Sequence, residues 1–168
     1  LEALGQHHFA ERPVQLTEPR AYAANFSFRR SLFATAGPFR TDIGRSGLTG
    51  RLAHEETVFA RRAMAAGAEF WYAPGAIVKH FVPASSLSDE FFTRSAYWGS
   101  VSTMLTMERL GAGEVVMTLA KSPVRWFISQ ARVLAAMLSR DPHAASRARM
   151  DAAGAVGRLN GLLKRIMH

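Results

Sequence analysis

The stretch that decides the fold runs from His54 to Gly67 and reads HEETVFARRAMAAG. Phe59, Ala63 and Ala66 recur there at the i, i+4, i+7 spacing of one helix face. A glycine directly after such a pattern is typical of a helix C-terminus. The spacing therefore predicts a helix that ends at the glycine and packs one face against a core.

The segments on either side of this helix predict a mixture of strands and helices. Residues 21–28 alternate aromatic with small or polar residues, which indicates a half-buried strand, and a short helix is expected over 29–36. Residues 39–53 form a long glycine-bearing loop. After the central helix, residues 69–72 and 76–80 predict two strands joined by a turn.

The last half of the sequence predicts helices alone. Ser88 is a good N-cap for a helix that runs to about Arg109. Two more helical segments follow, over about 115–139 and 144–167, and Asp141-Pro142 divides them. We therefore predict an α/β part over residues 1–109 and a basic amphipathic helical tail over residues 110–168.

Composition and charge exclude several classes of protein. The sequence has 168 residues and no cysteine, so it forms no disulfide and no thiolate metal site. It contains no apolar run of ~20 residues, so no transmembrane helix is predicted. Because it begins at Leu1, we expect a piece of a longer chain. The formal net charge is +8, and from Val115 onward nine Lys or Arg accompany only two Asp.

Two adjacent carboxylates, Glu55 and Glu56, occupy the first turn of the central helix. First-turn acids are common because the helix dipole stabilises them, so an ordinary structural role is one interpretation. The upstream glycine-bearing loop favours another, in which a substrate reaches the helix start and one carboxylate acts as a general base. Neighbouring side chains lie roughly 100° apart on a helix, so we expect one acid to be catalytic and one to support it. Spacing alone does not choose between them.

Seven separated elements of the sequence occur in a characteristic order and spacing: Ala24–Arg30, Gly37-Pro38-Phe39, Leu48-Thr49-Gly50, His54–Thr57, Arg61-Arg62, Ala66-Gly67 and Trp71–His80. Together they resemble the second half of a family 2 glycosyltransferase, over about Tyr22 to Ser102. Two positions depart from that family: His54 stands where glycine is usual, and Arg40 stands where aspartate is common.

The resemblance implies a fold and an activity. The fold would be the C-terminal half of a GT-A (nucleotide-diphospho-sugar transferase) domain, followed by the helical tail. The activity would be inverting transfer of a sugar from a nucleotide-sugar to a hydroxyl acceptor, as in bacterial polysaccharide or glycan synthesis. By this resemblance Glu56 is the base and Glu55 the supporting acid. A divalent metal, Mg or Mn, would come mainly from the N-terminal half, which this sequence lacks, so the isolated piece would be inactive.

Several further residues are candidates for binding. By the resemblance, Asn25 helps to shape the site and His80 is a weak candidate for the metal or diphosphate, beside Lys79. Arg45 in the glycine-bearing loop is a candidate for phosphate or acceptor, although a solvated loop arginine is the simpler interpretation. Asn25 equally has a structural interpretation, in which its amide satisfies backbone groups.

Three more candidates lie within one turn of the helix predicted after Ser88. Arg94, Tyr97 and Trp98 lie at i, i+3 and i+4 and resemble the segment that approaches the leaving diphosphate or the acceptor. The alternative, that Tyr97 and Trp98 simply belong to the core, is equally open. We therefore expect Arg94 and Trp98 to bind substrate or to pack.

The basic tail predicts a surface for an anionic partner. Its apolar residues with Trp126, Phe127 and interspersed cations are typical of a helix that lies on an anionic membrane, which would place the protein in the cytoplasm at the inner face of the cell membrane. Packing on protein is the alternative. No recognised nucleic-acid-binding module accompanies the charge, so nucleic acid ranks last among the partners. The rival to an enzyme is a non-catalytic basic interaction module, in which the acidic pair only caps a helix.

Overall fold

The structure, a computed structural model, describes residues 9–19, 23–44, 52–107 and 109–167. Helices hold 64% of these residues, and within them the strands form one sheet of two strands. The predicted α/β piece of a GT-A domain is therefore wrong for the described chain. The elements are β1 (Val14–Leu16), α1 (Leu32–Ala36), α2 (Glu55–Ala65), β2 (Phe70–Tyr72), α3 (Asp89–Thr106), α4 (Ala112–Leu138) and α5 (Pro142–Met167), with 3₁₀ turns at Ala23–Asn25 and Ala84–Leu87.

Two of the predicted strands are absent because their alternating residues have no ladder partner. Residues 76–80 are irregular and solvent-facing, with Ile77 81% exposed. The segment of Phe26 and Phe28 follows a 3₁₀ turn, and its rings pack on α2 instead of projecting from a sheet. The predicted strand over 69–72 is confirmed as β2, which pairs antiparallel with β1, a strand that the sequence analysis did not predict.

The chain divides into two compact units, each described by itself here. In the described ranges, the first unit comprises residues 9–19, 23–44 and 54–82, and its core surrounds α2. Phe59 and Ala63 are fully buried there, as their spacing predicted, and Gly67 follows the C-cap of α2 at φ +90°. Ala66, predicted on the same buried face, is the C-cap residue and is exposed.

The second unit is a helical assembly in which α5 packs against both α3 and α4. The predicted N-cap of α3 is confirmed, since Ser88 Oγ accepts a hydrogen bond from the Phe91 amide at 3.2 Å. The predicted break is also confirmed: Asp141 Oδ1 accepts from the Ala144 amide at 2.9 Å at the start of α5, and this hydrogen bond lowers the pKa of Asp141. No helix of the described residues combines the length and apolar character needed to cross a bilayer.

Helices α3 and α5 approach closely because glycines on α5 remove the side chains that would separate them. A Cβ built at Gly161 would lie 2.7 Å from Met104 Cβ and 2.9 Å from the Val101 carbonyl oxygen, and one at Gly157 would meet the Tyr97 carbonyl. At the far end of the contact, the Arg165 guanidinium donates to the carbonyls of Met104, at 3.0 Å, and of Met107, just past the end of α3.

We expect Gly157→Ala to destabilise the second unit. Alanine normally gains about 1 kcal/mol over glycine inside a helix. At this position the added methyl group meets the backbone of Tyr97, which cannot move aside like a flexible side chain, so overpacking at about 1–3 kcal/mol dominates. The measurement is the free energy of unfolding from urea titration, followed by helical circular dichroism.

Gly99→Ala is the matched control, because Gly99 lies inside α3 and a Cβ there has nothing within 4 Å. It should raise the free energy of unfolding by up to about 1 kcal/mol. If both alanine variants are equally stabilised, the close glycine contact between α3 and α5 is wrong.

Candidate functional site

The acidic pair lies at the mouth of a cavity in the first unit. Glu55 and Glu56 open α2 and both line this cavity, which has a volume of about 280 Å³. Its other lining residues are Ala23, Phe26, Phe28 and Phe39. Both members of the pair thus line one space, and the predicted division into a catalytic and a supporting acid stays a prediction.

One carboxyl oxygen of Glu55 has no hydrogen-bond partner among the described residues. This atom, Oε2, is buried, and a Cβ built at Gly44 would lie 3.3 Å from it. Gly44 has φ +105°, so a side chain there would be strained as well as crowded. Leaving a buried acceptor unpaired costs about 1–3 kcal/mol. The oxygen is packed against Gly44, and its unmet acceptor capacity sets Glu55 apart from an ordinary solvated first-turn acid.

His54 precedes the pair in a conformation that side chains rarely adopt. It is the N-cap of α2 at φ +80° and ψ 14°, in the left-handed region, and its side chain makes no capping hydrogen bond. Burial lowers the pKa of His54, and the positive charge of Arg61 lowers it further, while Glu55 acts in the opposite direction. Since the ordinary pKa is near 6.5, the imidazole is neutral at pH 7.

The aromatic walls of the cavity are held by α2. Phe59 lies beneath them, with its ring centroid 4.7 Å from that of Phe28 and 4.6 Å from that of Phe39. On the same helix, the guanidinium of Arg62 donates to the Pro38 carbonyl at the turn after α1. One helix therefore carries the carboxylates and also fixes the segments that form the walls.

The sequence analysis missed the three wall phenylalanines as site residues. Phe26 and Phe28 had been assigned to a strand, and Phe39 to a loop. A signal was present, because aromatic residues at both ends of α1 predict a cluster that needs a common partner, and Phe59 at the centre of α2 supplies it.

Asn25 lies near the site but in a structural role. It ends the 3₁₀ turn, and its side-chain amide donates to the Ala76 carbonyl, so it ties this turn to the segment after β2. This hydrogen bond agrees with the structural interpretation of Asn25. Lys79 and His80 lie exposed in that irregular segment, and not at the end of a strand. Arg45 lies outside the described residues.

Arg94 and Trp98 belong to the second unit. Arg94 lines an open groove of about 440 Å³ beside α5, where its guanidinium lies 3.9 Å from the Glu90 carboxylate. The ring of Trp98 has the Lys164 ammonium 5.5 Å from its centroid, within the range of a cation–π contact. Asn160 donates to the Tyr97 hydroxyl at 2.8 Å, so this aromatic pair packs between helices.

The described residues do not fit a metal site of their own. Within residues 9–19, 23–44, 52–107 and 109–167, no three His, Asp or Glu side chains group closely enough to hold an ion. No step of the chemistry below is therefore assigned to a metal.

The comparisons with known proteins add no relative. No family model matches the chain, and no curated protein and no solved structure matches it either.

Proposed function

We propose that this chain is the acceptor-side part of an inverting glycosyltransferase, which transfers a sugar from a nucleotide-sugar to a hydroxyl group of a glycan or lipid-linked acceptor. One observation carries the proposal. Glu55 and Glu56 share an apolar-walled cavity, and one of the four carboxyl oxygens there is buried with no partner among the described residues. A cavity of about 280 Å³ is large enough for one sugar ring but too small for a drug-sized ligand.

The cavity supplies what an acceptor hydroxyl needs. In the proposed reaction Glu56 removes the hydroxyl proton as the oxygen forms its bond to the anomeric carbon and the bond to the diphosphate breaks. Glu55 accepts a hydrogen bond from a second hydroxyl of the acceptor and orients it. The phenylalanine walls supply an apolar surface on which a sugar ring can pack.

The backbone at His54 supports the resemblance on which the roles of the two acids rest. The similar family usually has glycine at this position, and the φ of +80° found here is one that glycine adopts without strain. The chain thus keeps a glycine-like conformation directly before its acidic pair.

The rival function is a non-catalytic basic module, in which the pair only stabilises the start of α2. Charge alone does not separate the two functions, because both accommodate a net charge of +8. The buried, unpartnered Glu55 oxygen favours the enzyme, since a capping acid gains its stabilisation with its oxygens solvated or bonded to backbone amides.

A transfer assay tests the proposal. The full-length protein, containing whatever sequence precedes Leu1, is incubated with a panel of nucleoside diphosphate sugars and hydroxyl acceptors, with Mg²⁺ or Mn²⁺ present. We expect release of nucleoside diphosphate that depends on the acceptor, and a product whose anomeric configuration is inverted by NMR. Retention of configuration, or a preceding sequence without a nucleotide-binding region and without any release, would favour the rival.

We further propose that the protein works in the cytoplasm at the inner face of the cell membrane, where lipid-linked acceptors are found. The surface that could make such a contact is on the second unit.

A further inference from the structure

Helix α4 packs on α5 through its small residues. The buried positions on α4 carry hydroxyl or methyl side chains, and they recur at intervals of four or seven residues. They are Thr118, Ser122, Ser129 and Ala136. This arrangement is the reverse of an ordinary amphipathic helix, which turns its large apolar residues toward its neighbours.

The large apolar residues of α4 face outward instead. Phe127 is 67% exposed, Leu134 60% and Leu138 79%. At 100° per residue these three positions fall on one side of the helix with Val116 and Val124, roughly opposite the packed side. We call this set of residues, Val116, Val124, Phe127, Leu134 and Leu138, the outer face of α4. It extends over most of a helix that is ~40 Å long.

Positive charges follow one border of the outer face. Lys121, Arg125 and Arg132 lie within roughly 40° of one another around the helix, between the outer face and the packed side. Arg132 also lies 3.8 Å from the Asp151 carboxylate on α5. The one acidic residue of α4, Glu114, lies at its first turn. The outer face therefore combines a continuous apolar surface with cations that have no matching acidic stripe on α4.

We propose that the outer face of α4 docks on an anionic lipid bilayer, with the helix parallel to the membrane plane. Helices of this kind bury their apolar face at the boundary of headgroups and acyl chains, while Lys and Arg reach the headgroup phosphates. Helices that pack against each other in membranes also place small residues between them, and their large apolar residues face the lipid. The docking goes beyond the proposed transfer reaction and does not depend on it.

Charge decides between a bilayer and a second copy of the chain. A second copy would present the same three cations and no acidic stripe, so its α4 offers them no counter-charge. An anionic leaflet attracts Lys121 and Arg125, and their attraction adds to the burial of the apolar residues. A bilayer therefore offers acyl chains to the apolar outer face and anionic headgroups to the cations beside it.

Vesicle flotation tests the docking. The protein is mixed with vesicles of phosphatidylcholine and phosphatidylglycerol at 3:1, or of phosphatidylcholine alone, and the partition coefficient is measured. We expect binding to the anionic vesicles that weakens with salt. Phe127→Glu and Leu134→Glu should each lower the partition coefficient by about tenfold or more. Lys121→Gln and Arg125→Gln should each lower it about fivefold, on anionic vesicles only.

Phe81→Glu is the matched control, because Phe81 is 83% exposed and lies outside α4. It should leave the partition coefficient unchanged. Circular dichroism and thermal unfolding of each variant show that the fold is intact, as expected for changes at exposed positions. The proposal is overturned if the unaltered protein does not float with anionic vesicles, or if the α4 variants float as well as it does. It is equally overturned if these variants instead dissociate a dimer detected by sedimentation in the absence of lipid.

Discussion

Glu56→Gln is expected to lower the transfer rate by about 10²–10⁴-fold, because a general base contributes about that much to proton removal and glutamine cannot accept the proton. The substitution keeps the shape and the hydrogen-bonding reach of the side chain, so the cavity of Phe26, Phe28 and Phe39 should stay intact. The loss should appear in kcat, with KM for the acceptor little changed. Steady-state rates of nucleoside diphosphate release by the full-length protein measure it.

Two further variants make this result specific. Glu90 is also a first-turn glutamate, at the start of α3, so Glu90→Gln is a matched control that should keep the full rate. Glu55→Gln should raise KM more than it lowers kcat, since Glu55 is proposed to orient the acceptor. If Glu56→Gln turns over normally while Glu55→Gln loses kcat, the two roles are assigned in the wrong order. Normal turnover by both variants rejects a catalytic pair.

Phe59→Ala is expected to lower the free energy of unfolding of the first unit by about 3–5 kcal/mol, the usual cost of truncating a buried phenylalanine. Phe59 is fully buried, and its ring lies within 6.4 Å of those of Phe26, Phe28, Phe33 and Phe39. Removing it leaves a cavity beneath walls that also surround the two carboxylates. The site and the core of this unit should therefore be lost together.

Urea titration followed by tertiary circular dichroism of the aromatic residues measures this effect. Phe81→Ala is the control, because Phe81 belongs to the same unit and is 83% exposed, so its loss should change stability by less than about 0.5 kcal/mol. Equal effects at the two positions would show that the aromatic cluster is not the core of the unit.

Helices were the part of the fold that could be predicted from sequence. The i, i+4 spacing around Phe59, the cap at Ser88 and the break at Asp141-Pro142 are local signals, and each decides the conformation of its own segment. Strands were predicted less well, because a strand depends on a partner elsewhere in the chain. Residues 76–80 have the composition of a strand but no ladder, whereas β1 forms only through its pairing with β2.

In the candidate site, too, the local feature could be predicted from sequence and the features that depend on distant contacts could not. The acidic pair could be found from sequence because both residues are adjacent at a helix start. The phenylalanines on both sides of α1 indicate a cluster, but only the structure shows that Phe28 and Phe39 pack on each other and on Phe59. The partnerless oxygen of Glu55 was equally out of reach, because it depends on how closely the backbone of Gly44 passes.

The hydrogen bonds from Arg165 have a consequence for biosynthesis. The last carbonyls of α3 receive their donor from a residue 58 positions beyond Met107, close to the carboxyl end of the sequence. A growing chain on the ribosome can form α3 early, but the carbonyls of Met104 and Met107 lack this donor until Arg165 has been added. The second unit therefore completes its folding only after Arg165 has left the ribosome.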